Sequence, residues 1–311
     1  MPKFSVIIPT YNDGLYLAEA LESVFAQTFQ DYEVIVIDDG STDATQRLLK
    51  PYMGRIHYVY QENQGAYLAR NTGIRRAKGE FIAFLDADDI WVQEKLERQN
   101  QYLQAHPEIG MVHGYLDTMN AEGALLPNAS AAGRRHWERI NQRPMTYENI
   151  LLDAAFHFDT CVIRKKVLDA IGEFRCIPVC EDFDFLLRVA LSTKIGFMND
   201  SALAVFRCHR NGFEFNVFHQ GIIDVLKKHL TLVQTKVVPI NFSVAARNIC
   251  LNLSLSSFML GAKEKGRQYF IEAFFHHPSA IFFLNYLRLF ILSFLPERTK
   301  KLLRLFNQAF T

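Results

Sequence analysis

The sequence predicts an α/β protein with a doubly wound, mostly parallel sheet flanked by helices, followed by a C-terminal α-helical extension. Short apolar runs of strand length alternate with helical patterns through the first 90 residues, and polar residues follow each run. Beyond residue 220 only helical patterns remain. Strands and helices that alternate over short links form right-handed crossovers, which build a parallel sheet. We therefore expect one domain over residues 1–220 and a helical extension over residues 221–311.

Four runs rich in β-branched or aromatic residues predict the first strands, at residues 4–8, 33–37, 56–60 and 81–85. The fourth run is apolar at every position, which suits a strand buried on both faces. Helices are expected between these strands. Apolar side chains recur at helical spacing over residues 17–25, Asp43 opens a capping-box-like helix start, and Lys78-Gly79 ends a helix over residues 67–77.

The composition is that of an ordinary globular protein, with 49% hydrophobic and 22% charged residues. A formal net charge of +1 argues against nucleic acid or another polyanion as the main partner. Five cysteines form no even set of disulfides, and the first apolar run is too short for the core of a signal peptide. We therefore expect reduced thiols and a cytoplasmic location.

Three carboxylates crowd the end of the fourth predicted strand, in Asp86-Ala87-Asp88-Asp89. Such side chains repel one another unless a cation lies between them, and the hard ions Mg²⁺ and Mn²⁺ prefer oxygen ligands. The alternative is that they cap a helix that begins near Ile90-Trp91, although three acids are more than one cap needs. We favour a metal site.

Polar residues follow all four predicted strands, at the edge where ligands bind in open parallel sheets. The segments are Pro9-Thr10-Tyr11-Asn12, Asp38-Asp39-Gly40-Ser41, Glu62-Asn63-Gln64-Gly65 and Asp86-Ala87-Asp88-Asp89. Ordinary turn chemistry explains each loop alone, but it does not readily explain acidic residues after three of the four strands. The P-loop and G-x-G-x-x-G motifs do not occur in the sequence, which argues against P-loop enzymes and dehydrogenases.

These four segments, together with Ala69-Arg70-Asn71, resemble in order and spacing the signatures of the family-2 glycosyltransferases of GT-A fold. The resemblance implies an inverting enzyme that takes its sugar from a nucleotide-diphosphate sugar, either a UDP-sugar or a dTDP-sugar. It implies Mn²⁺ or Mg²⁺ as cofactor and a glycan or lipid-linked acceptor. The process implied is the synthesis of a cell-surface polysaccharide or glycan.

The resemblance also implies roles for individual residues. The nucleotide would contact Pro9, Tyr11, Asn12, Asp39, Arg70 and Asp86. Asp88 would bind the metal ion that bridges the diphosphate. Phe206-Arg207-Cys208-His209 looks like the segment that returns basic side chains to the diphosphate or metal. His209 is therefore a candidate metal ligand and Arg207 a supporting residue, and the alternative for His209 is a satisfied surface histidine.

The segment Glu181-Asp182 resembles the family's Glu-Asp motif, which implies that Asp182 is the catalytic base. Inverting transfer needs a carboxylate that takes the proton of the acceptor hydroxyl as its oxygen attacks the anomeric carbon. Asp184 is a second candidate for the base, and Glu181 would support the site. The alternative is that these acids only complement the dipole of a helix N-terminus.

The region after residue 109 predicts elements on the acceptor side. Residues 110–118 and 124–126, joined by a turn at Asn120-Ala121-Glu122-Gly123, indicate a β-hairpin. Residues 129–143 are polar and basic, with four arginines around Trp137. We expect a loop there, either a mobile lid or acceptor loop or a merely solvated one.

Helical patterns fill the C-terminal region, at residues 244–260, 263–276 and 278–295. The last is strongly apolar, but it is shorter than a bilayer span and carries Arg288, which argues against a transmembrane helix. Lys300, Lys301 and Arg304 follow among apolar residues, a pattern typical of a helix at a membrane surface. Peripheral contact with the inner face of the cell membrane competes with packing on the first domain or on a second subunit of a homo-oligomer.

Two other functions stay open at this point. A nucleotidyltransferase would share the sheet and the metal carboxylates, but it needs a Gly-rich basic loop where this chain has Tyr11-Asn12-Asp13-Gly14. A non-catalytic scaffold that binds sugar nucleotides has no need of Asp182 or Asp88, and both are present. The function that we favour is therefore an inverting glycosyltransferase.

Overall fold

A computed structural model of the chain describes residues 1–152, 156–177, 179–209, 215–234 and 240–276, together with Ile291 and Ser293. The chain divides into two compact units. Residues 1–146 and 153–212 form the first unit, and residues 147–152 and 213–311 form the second. The domain boundary predicted at residue 220 falls inside a helix of the second unit, Phe215–Gln234.

An eight-stranded mixed sheet forms the centre of the first unit. Its strands are β1 (Phe4–Thr10), β2 (Tyr32–Asp38), β3 (His57–Tyr60), β4 (Phe81–Phe84), β5 (Ile90–Trp91), β6 (Ile109–Asn120), β7 (Val162–Arg164) and β8 (Lys194–Cys208). Their spatial order is β3-β2-β1-β4-β7-β6-β8-β5. The pairs β3–β2, β2–β1, β1–β4 and β6–β8 are parallel, whereas β7 is antiparallel to both neighbours and β5 to β8. The predicted α/β class with a mostly parallel sheet is confirmed.

Helices lie between the strands of this unit, as the alternating pattern predicts. They are α1 (Gly14–Phe25), α2 (Thr45–Leu48), α3 (Ala66–Arg76), α4 (Lys95–Ala105) and α5 (Pro127–Asn141) before residue 147. After α6 (Tyr147–Leu152), which belongs to the second unit, the first unit continues with α7 (Lys165–Ile171) and α8 (Glu181–Ser192). Every residue of β1 and β4 is buried, because side chains on both faces of the sheet are covered.

One short prediction is wrong in this unit, and another holds only in part. Ile90-Trp91 does not begin a helix but pairs with β8 as strand β5, and α4 begins only at Lys95. The side chain of Trp91 is buried in the core, which holds the chain extended at this point. The predicted hairpin over residues 110–126 is present only at its tip, where Leu125 pairs antiparallel with Met119 and the backbone N–H of Leu126 donates to the carbonyl oxygen of Thr118 at 2.8 Å. The rest of β6 pairs with β8 and β7, so the return segment is much shorter than the strand it follows.

The polar segment 129–143 forms most of helix α5 rather than the predicted loop. Arg134 donates to both carboxylate oxygens of Asp117 on β6, at 2.8 and 2.9 Å. The ring of Trp137 lies 5.9 Å from His113 and 6.4 Å from Phe197. These contacts come from distant parts of the chain, so the local sequence does not reveal them.

The described part of the second unit is helical, and three of its helices follow residue 212: α9 (Phe215–Gln234), α10 (Phe242–Met259) and α11 (Lys263–His276). The predicted helices over residues 244–260 and 263–276 are therefore present. Gly261, with φ +76°, allows the tight turn between α10 and α11. The predictions for residues 278–295 and 300–304 lie outside the described residues, apart from Ile291 and Ser293. Among the helices described, none combines the length and the hydrophobicity needed to cross a membrane.

Candidate active site

A cavity of about 480 Å³ opens at the carboxyl ends of β1, β2 and β4, the edge at which the sequence places the polar loops. Its lining consists of Pro9, Thr10, Tyr11, Asp13, Asp39, Asn63, Gly65, Ala66, Ala69, Arg70, Asp86, Ala87 and Asp88. Five of the six residues predicted to contact a nucleotide are in this set, and so is the predicted metal ligand Asp88. A cavity of this volume is large enough to enclose a small organic ligand.

Asp39 holds the loop after β3 against the floor of the cavity. Its carboxylate accepts hydrogen bonds from the backbone N–H groups of Gln64, at 3.1 Å, and Gly65, at 2.7 Å. The side-chain amide of Gln61 donates to the same carboxylate at 2.7 Å. Gly65 can follow this path because its φ of +94° costs a glycine little.

Asn12, the remaining residue predicted to contact a nucleotide, is not part of the cavity lining. Its side-chain oxygen accepts hydrogen bonds from the backbone N–H groups of Thr42, at 2.8 Å, and Asp43, at 3.2 Å. Its own backbone is in the left-handed region, with φ 60°. The carboxamide therefore fastens the loop after β1 to the loop after β2, and it supports the cavity wall rather than lining it.

Arg70 on α3 joins two acidic segments that are far apart in the sequence. Its buried guanidinium donates to Asp86 at 2.6 Å and to Glu181 at 3.3 Å. The same group lies over the ring of Phe158, 5.3 Å from the ring centre. Burial opposes the charge, but Asp86 and Glu181 outweigh it and raise the pKa of Arg70. A permanent cation therefore links the acidic turn after β4 to the N-terminus of α8.

Asp88 and His209 meet at the edge of the cavity, with 2.8 Å between Asp88 Oδ2 and His209 Nε2. Both side chains are partly exposed, at 27% and 37%. Asp13, which the sequence analysis did not single out, lies near them. Burial and the charge of Asp88 raise the pKa of Asp13 to about 6. Converging carboxylate and imidazole atoms with a further acid nearby are donors that suit a divalent cation.

Arg207 lies behind this pair and not in the cavity. Its guanidinium donates to the carbonyl oxygens of Asp88, at 2.8 Å, and Ala121, at 3.1 Å, and to the carboxylate of Glu19 at 2.6 Å. Its backbone N–H donates to Asp89 at 2.6 Å. The side chain is almost fully buried, so the support that Arg207 gives is to the backbone of the acidic turn.

Glu181 and Asp182 begin helix α8, directly after Cys180, whose φ of 66° is strained for a residue with a side chain. Asp182 Oδ1 accepts the backbone N–H of Phe183 at 2.7 Å. Burial raises the pKa of Asp182, although this hydrogen bond and Arg70 oppose the change. A carboxylate with a raised pKa is a stronger proton acceptor than an exposed aspartate.

Asp184, the second candidate for the base, has structural partners instead. It is fully buried and accepts from Arg188 at 2.8 Å and from Arg175 at 3.2 Å. Arg188 in turn donates to the carbonyl oxygen of Ile171 at 3.0 Å, which joins α8 to the end of α7. These ion pairs give Asp184 a structural part in the packing of α8.

Comparison with known proteins decides the family. Residues 5–172 match the family model described as Glycosyl transferase family 2. The chain belongs to glycosyl transferase family 2. TuaG of Bacillus subtilis, a teichuronic acid biosynthesis glycosyltransferase by name, is 44% identical over 106 residues, which are 33% of this chain and 42% of TuaG. A Rickettsia felis glycosyltransferase is 31% identical over 216 residues, or 67% of this chain and 34% of that protein. The chain thus spans less than half the length of either relative.

Solved structures of other glycosyltransferases share the fold of this family-2 chain. S. aureus TarS 1–349 in complex with UDP-GlcNAc superposes with a TM-score of 0.64 at 22% identity, over 87% of this chain and 79% of that one. The mannosyltransferase PcManGT from Pyrobaculum calidifontis, in complex with GDP-Man and Mn²⁺, superposes with a TM-score of 0.59 at 18% identity. The superposition covers 94% of this chain and 84% of that one. At such identities the likeness establishes the fold alone. These structures confirm the predicted fold, and the family model confirms the predicted family.

Two residues next to the cavity, His157 and Asp159, were not predicted from the sequence. Asp159 Oδ1 accepts the backbone N–H of Asp86 at 2.8 Å, and its other oxygen lies 3.1 Å from His157 Nδ1. Asp89 lies close to the same carboxylate. The side chains of Asp86, Asp89, His157 and Asp159 each have a polar atom within 4.8 Å of the other three. The segment between α6 and β7 has no spacing that marks it, so only tertiary contact identifies these residues.

The charges under the acidic turn are set by burial and by proximity. Burial and the neighbouring Asp159 raise the pKa of Asp89 to about 12, so Asp89 is neutral at pH 7. Burial disfavours a charged His157, but Asp159 outweighs burial and raises the pKa of His157 to about 9. The same pairing holds the pKa of Asp159 well below its usual value. The turn therefore rests on an ion pair next to a protonated acid.

We expect this ion pair to make stability depend on pH. Because the pKa of His157 rises from 6.5 to about 9 on folding, the folded state binds more protons between these values. The stabilisation is complete below pH 6.5 and is lost as the pH rises through 9, a fall of about 3 kcal/mol in the free energy of unfolding. In the variant His157→Gln, the free energy of unfolding should not decrease over this pH range.

Urea unfolding at several pH values, followed by tryptophan fluorescence, measures the effect, because both tryptophans lie in the first unit. His106→Gln is the matched control, since His106 is half exposed and pairs with Glu108 at 3.7 Å. The control should show the same decrease in the free energy of unfolding at high pH as the wild type. An equal fall in His157→Gln and the wild type would contradict the ion-pair explanation.

Proposed function

We propose that this chain is an inverting glycosyltransferase that moves a sugar from a nucleotide-diphosphate sugar to a hydroxyl acceptor in a single displacement. The observation that carries the proposal is a cavity whose lining includes Asp88, which pairs with His209, and Arg70. Arg70 also donates to Glu181, the residue next to the carboxylate of Asp182. Membership of glycosyl transferase family 2 supports it.

The cavity between β1 and α3 is the proposed donor site. Pro9 and Tyr11 offer an apolar and aromatic wall for a nucleotide base, and Asp39 and Asp86 offer carboxylates to ribose hydroxyls. TarS has been crystallised with UDP and with UDP-GlcNAc, and PcManGT with GDP-Man. By extension we propose a nucleotide-sugar donor for this chain, with a UDP- or dTDP-sugar as the specific choice.

The proposed cofactor is Mn²⁺ or Mg²⁺, held by Asp88 and His209. Their ligand atoms converge to 2.8 Å, and one is a carboxylate oxygen while the other is an imidazole nitrogen. This mixed donor set suits Mn²⁺ better than Mg²⁺, which prefers oxygen ligands alone. A bound divalent cation would offset the negative charge that the diphosphate gains as it leaves.

Asp182 is the proposed base. It takes the proton of the acceptor hydroxyl while the acceptor oxygen forms a bond to the anomeric carbon. The bond from that carbon to the diphosphate oxygen breaks, and its electron pair leaves with the nucleotide diphosphate. Attack on the face opposite the leaving group turns an α-linked donor into a β-linked product. Arg70 and Glu181 fix the position of the base relative to Asp86.

The proposed acceptor is a glycan or a lipid-linked saccharide of a cell-surface polymer, in keeping with the name of TuaG. Exposed apolar side chains on α11 support peripheral contact with a membrane. Ile271, Phe274 and Phe275 are 46%, 42% and 81% exposed. They lie at helical spacing on one side of α11, as in helices that rest on a bilayer surface.

A panel of nucleotide diphosphates tests the donor and the metal together. With Mn²⁺ present, UDP or dTDP at about 100 times its dissociation constant should stabilise the protein by about 2.7 kcal/mol, measured as a thermal shift. Asp88→Asn should lose the part of this shift that depends on Mn²⁺. Asp200→Asn, an exposed acid paired with Arg98, is the control. Equal shifts with and without Mn²⁺ in the wild type would remove the metal from the proposal.

The base is tested by Asp182→Asn. The variant should bind the donor as the wild type does, because its shape is unchanged, but nucleotide diphosphate release should fall by about 10²–10⁴-fold. Asp169→Asn is the matched control, since Asp169 is an exposed acid on α7 paired with Lys165. If Asp182→Asn releases product as fast as Asp169→Asn does, Asp182 is not the base.

Membrane contact is tested by co-sedimentation of the full chain with vesicles that contain anionic phospholipid. Replacing Phe274 and Phe275 with serine should reduce the bound fraction severalfold, because apolar area is lost from the helix surface. Met53→Ser, which changes a residue of the first unit with 42% exposure, should not. Equal recovery of both variants would argue that α11 does not touch the membrane.

A further inference from the structure

Three side chains that commonly bind metals meet in the second unit, on helices that contribute no residue to the proposed active site. They are Cys250 on α10 and Glu272 and His276 on α11. One potential ligand atom of each lies within 4.8 Å of those of the other two. The cluster joins a thiol, a carboxylate and an imidazole, so it is not a mere gathering of surface acids.

The helical geometry explains why these side chains converge. Glu272 and His276 are four residues apart on α11, so they point to the same side of the helix. Glu272 Oε1 and His276 Nε2 are 3.9 Å apart. Helix α10 packs along α11, as the hydrogen bond of 2.7 Å from Ser254 to the carbonyl oxygen of Gly266 shows. Cys250 is four residues before Ser254, so it faces the C-terminal half of α11.

Burial gives the cluster an inner and an outer side. Cys250 is fully buried in a small apolar core with Leu251, Phe270 and Ala273. Glu272 and His276 are 38% and 33% exposed. An ion can therefore reach the cluster from solvent through these two side chains and meet the thiol at the inner end. A water molecule can complete its coordination on the open side.

The donor set selects the class of ion. Zinc binds cysteine sulfur, histidine nitrogen and glutamate oxygen in tetrahedral sites, often with three protein ligands and one water. The hard ions Mg²⁺ and Mn²⁺ favour oxygen donors, so a thiol at the inner end disfavours them. Around a tetrahedral zinc ion a nitrogen and an oxygen lie about 3.3 Å apart. The separation of 3.9 Å between Glu272 and His276 needs only a small side-chain rotation to reach that value.

We propose that Cys250, Glu272 and His276 form a zinc site that fastens α10 to α11. Zinc at this site stabilises the helical hairpin, because an ion bound only by the folded chain adds its binding free energy to folding. Binding releases the thiol proton of Cys250, so the apparent affinity rises with pH.

Cobalt substitution tests the site in the full-length chain. One equivalent of Co²⁺ should give a near-ultraviolet thiolate-to-cobalt charge-transfer band together with the visible bands of a tetrahedral centre. Cys250→Ser should abolish the charge-transfer band. Cys208→Ser is the matched control and should keep it, because Cys208 is the thiol next to His209 in the other candidate metal site. The proposal would be overturned if the charge-transfer band were absent in Cys208→Ser but present in Cys250→Ser. It would also be overturned if the wild-type chain gave no such band.

Cys250 is a core residue, so its replacement can also affect folding. A second variant, His276→Gln, therefore changes a ligand at a partly exposed position. We expect this variant to fold normally and to bind zinc at least about tenfold more weakly, the lower end of the loss that follows removal of a supporting partner. Glu264→Gln, at the exposed start of α11, should bind zinc like the wild type. Equal zinc affinity in His276→Gln and Glu264→Gln, by titration against a chromophoric chelator, would exclude the site.

Discussion

The arrangement of the first unit depends on the buried cation of Arg70. It lies between Asp86, which follows β4, and Glu181, which begins α8. Removing one partner of a buried ion pair costs about 3–5 kcal/mol, because the remaining charge has no compensation. The two carboxylates would also repel each other without the guanidinium. Arg70 therefore fixes how far the acidic turn lies from the N-terminus of α8, and with it the distance between the proposed donor site and the proposed base.

The other acids of this unit are distinguished by their partners. Asp159 is paired with His157, Asp184 is held by two arginines, and Asp89 is neutral because it is buried beside another acid. Asp88 differs, because its near partner is a partly exposed histidine at the cavity edge. Compensated acids thus build the scaffold, and Asp88 at the cavity edge is the acid that we propose as a cation ligand. This division follows from burial, since an uncompensated carboxylate is tolerated only where solvent or an ion can reach it.

The second unit follows a different principle, in which polar groups serve to join helices. Asn248 on α10 donates to the carbonyl oxygen of Glu148 on α6 at 2.6 Å, and Ser254 donates to that of Gly266 on α11. These two buried side chains each donate to a backbone oxygen of a neighbouring helix, which avoids the free-energy cost of burial without a partner. The cluster of Cys250, Glu272 and His276 extends the same principle, with a metal ion in place of a hydrogen bond.

The α/β class, the positions of β1 to β4 and the crowding of acids at one edge of the sheet could all be predicted from the order of the residues. These features are local, since apolar periodicity and turn residues depend on near neighbours along the chain. Contacts within the folded unit account for the helix over most of residues 129–143, for the two loops that Asn12 joins, and for the position of His157 and Asp159 next to Asp86. Each of these outcomes rests on a hydrogen bond or packing contact between residues far apart in sequence. A single sequence carries no record of which distant side chains will meet, because that depends on the free energy of the whole folded unit.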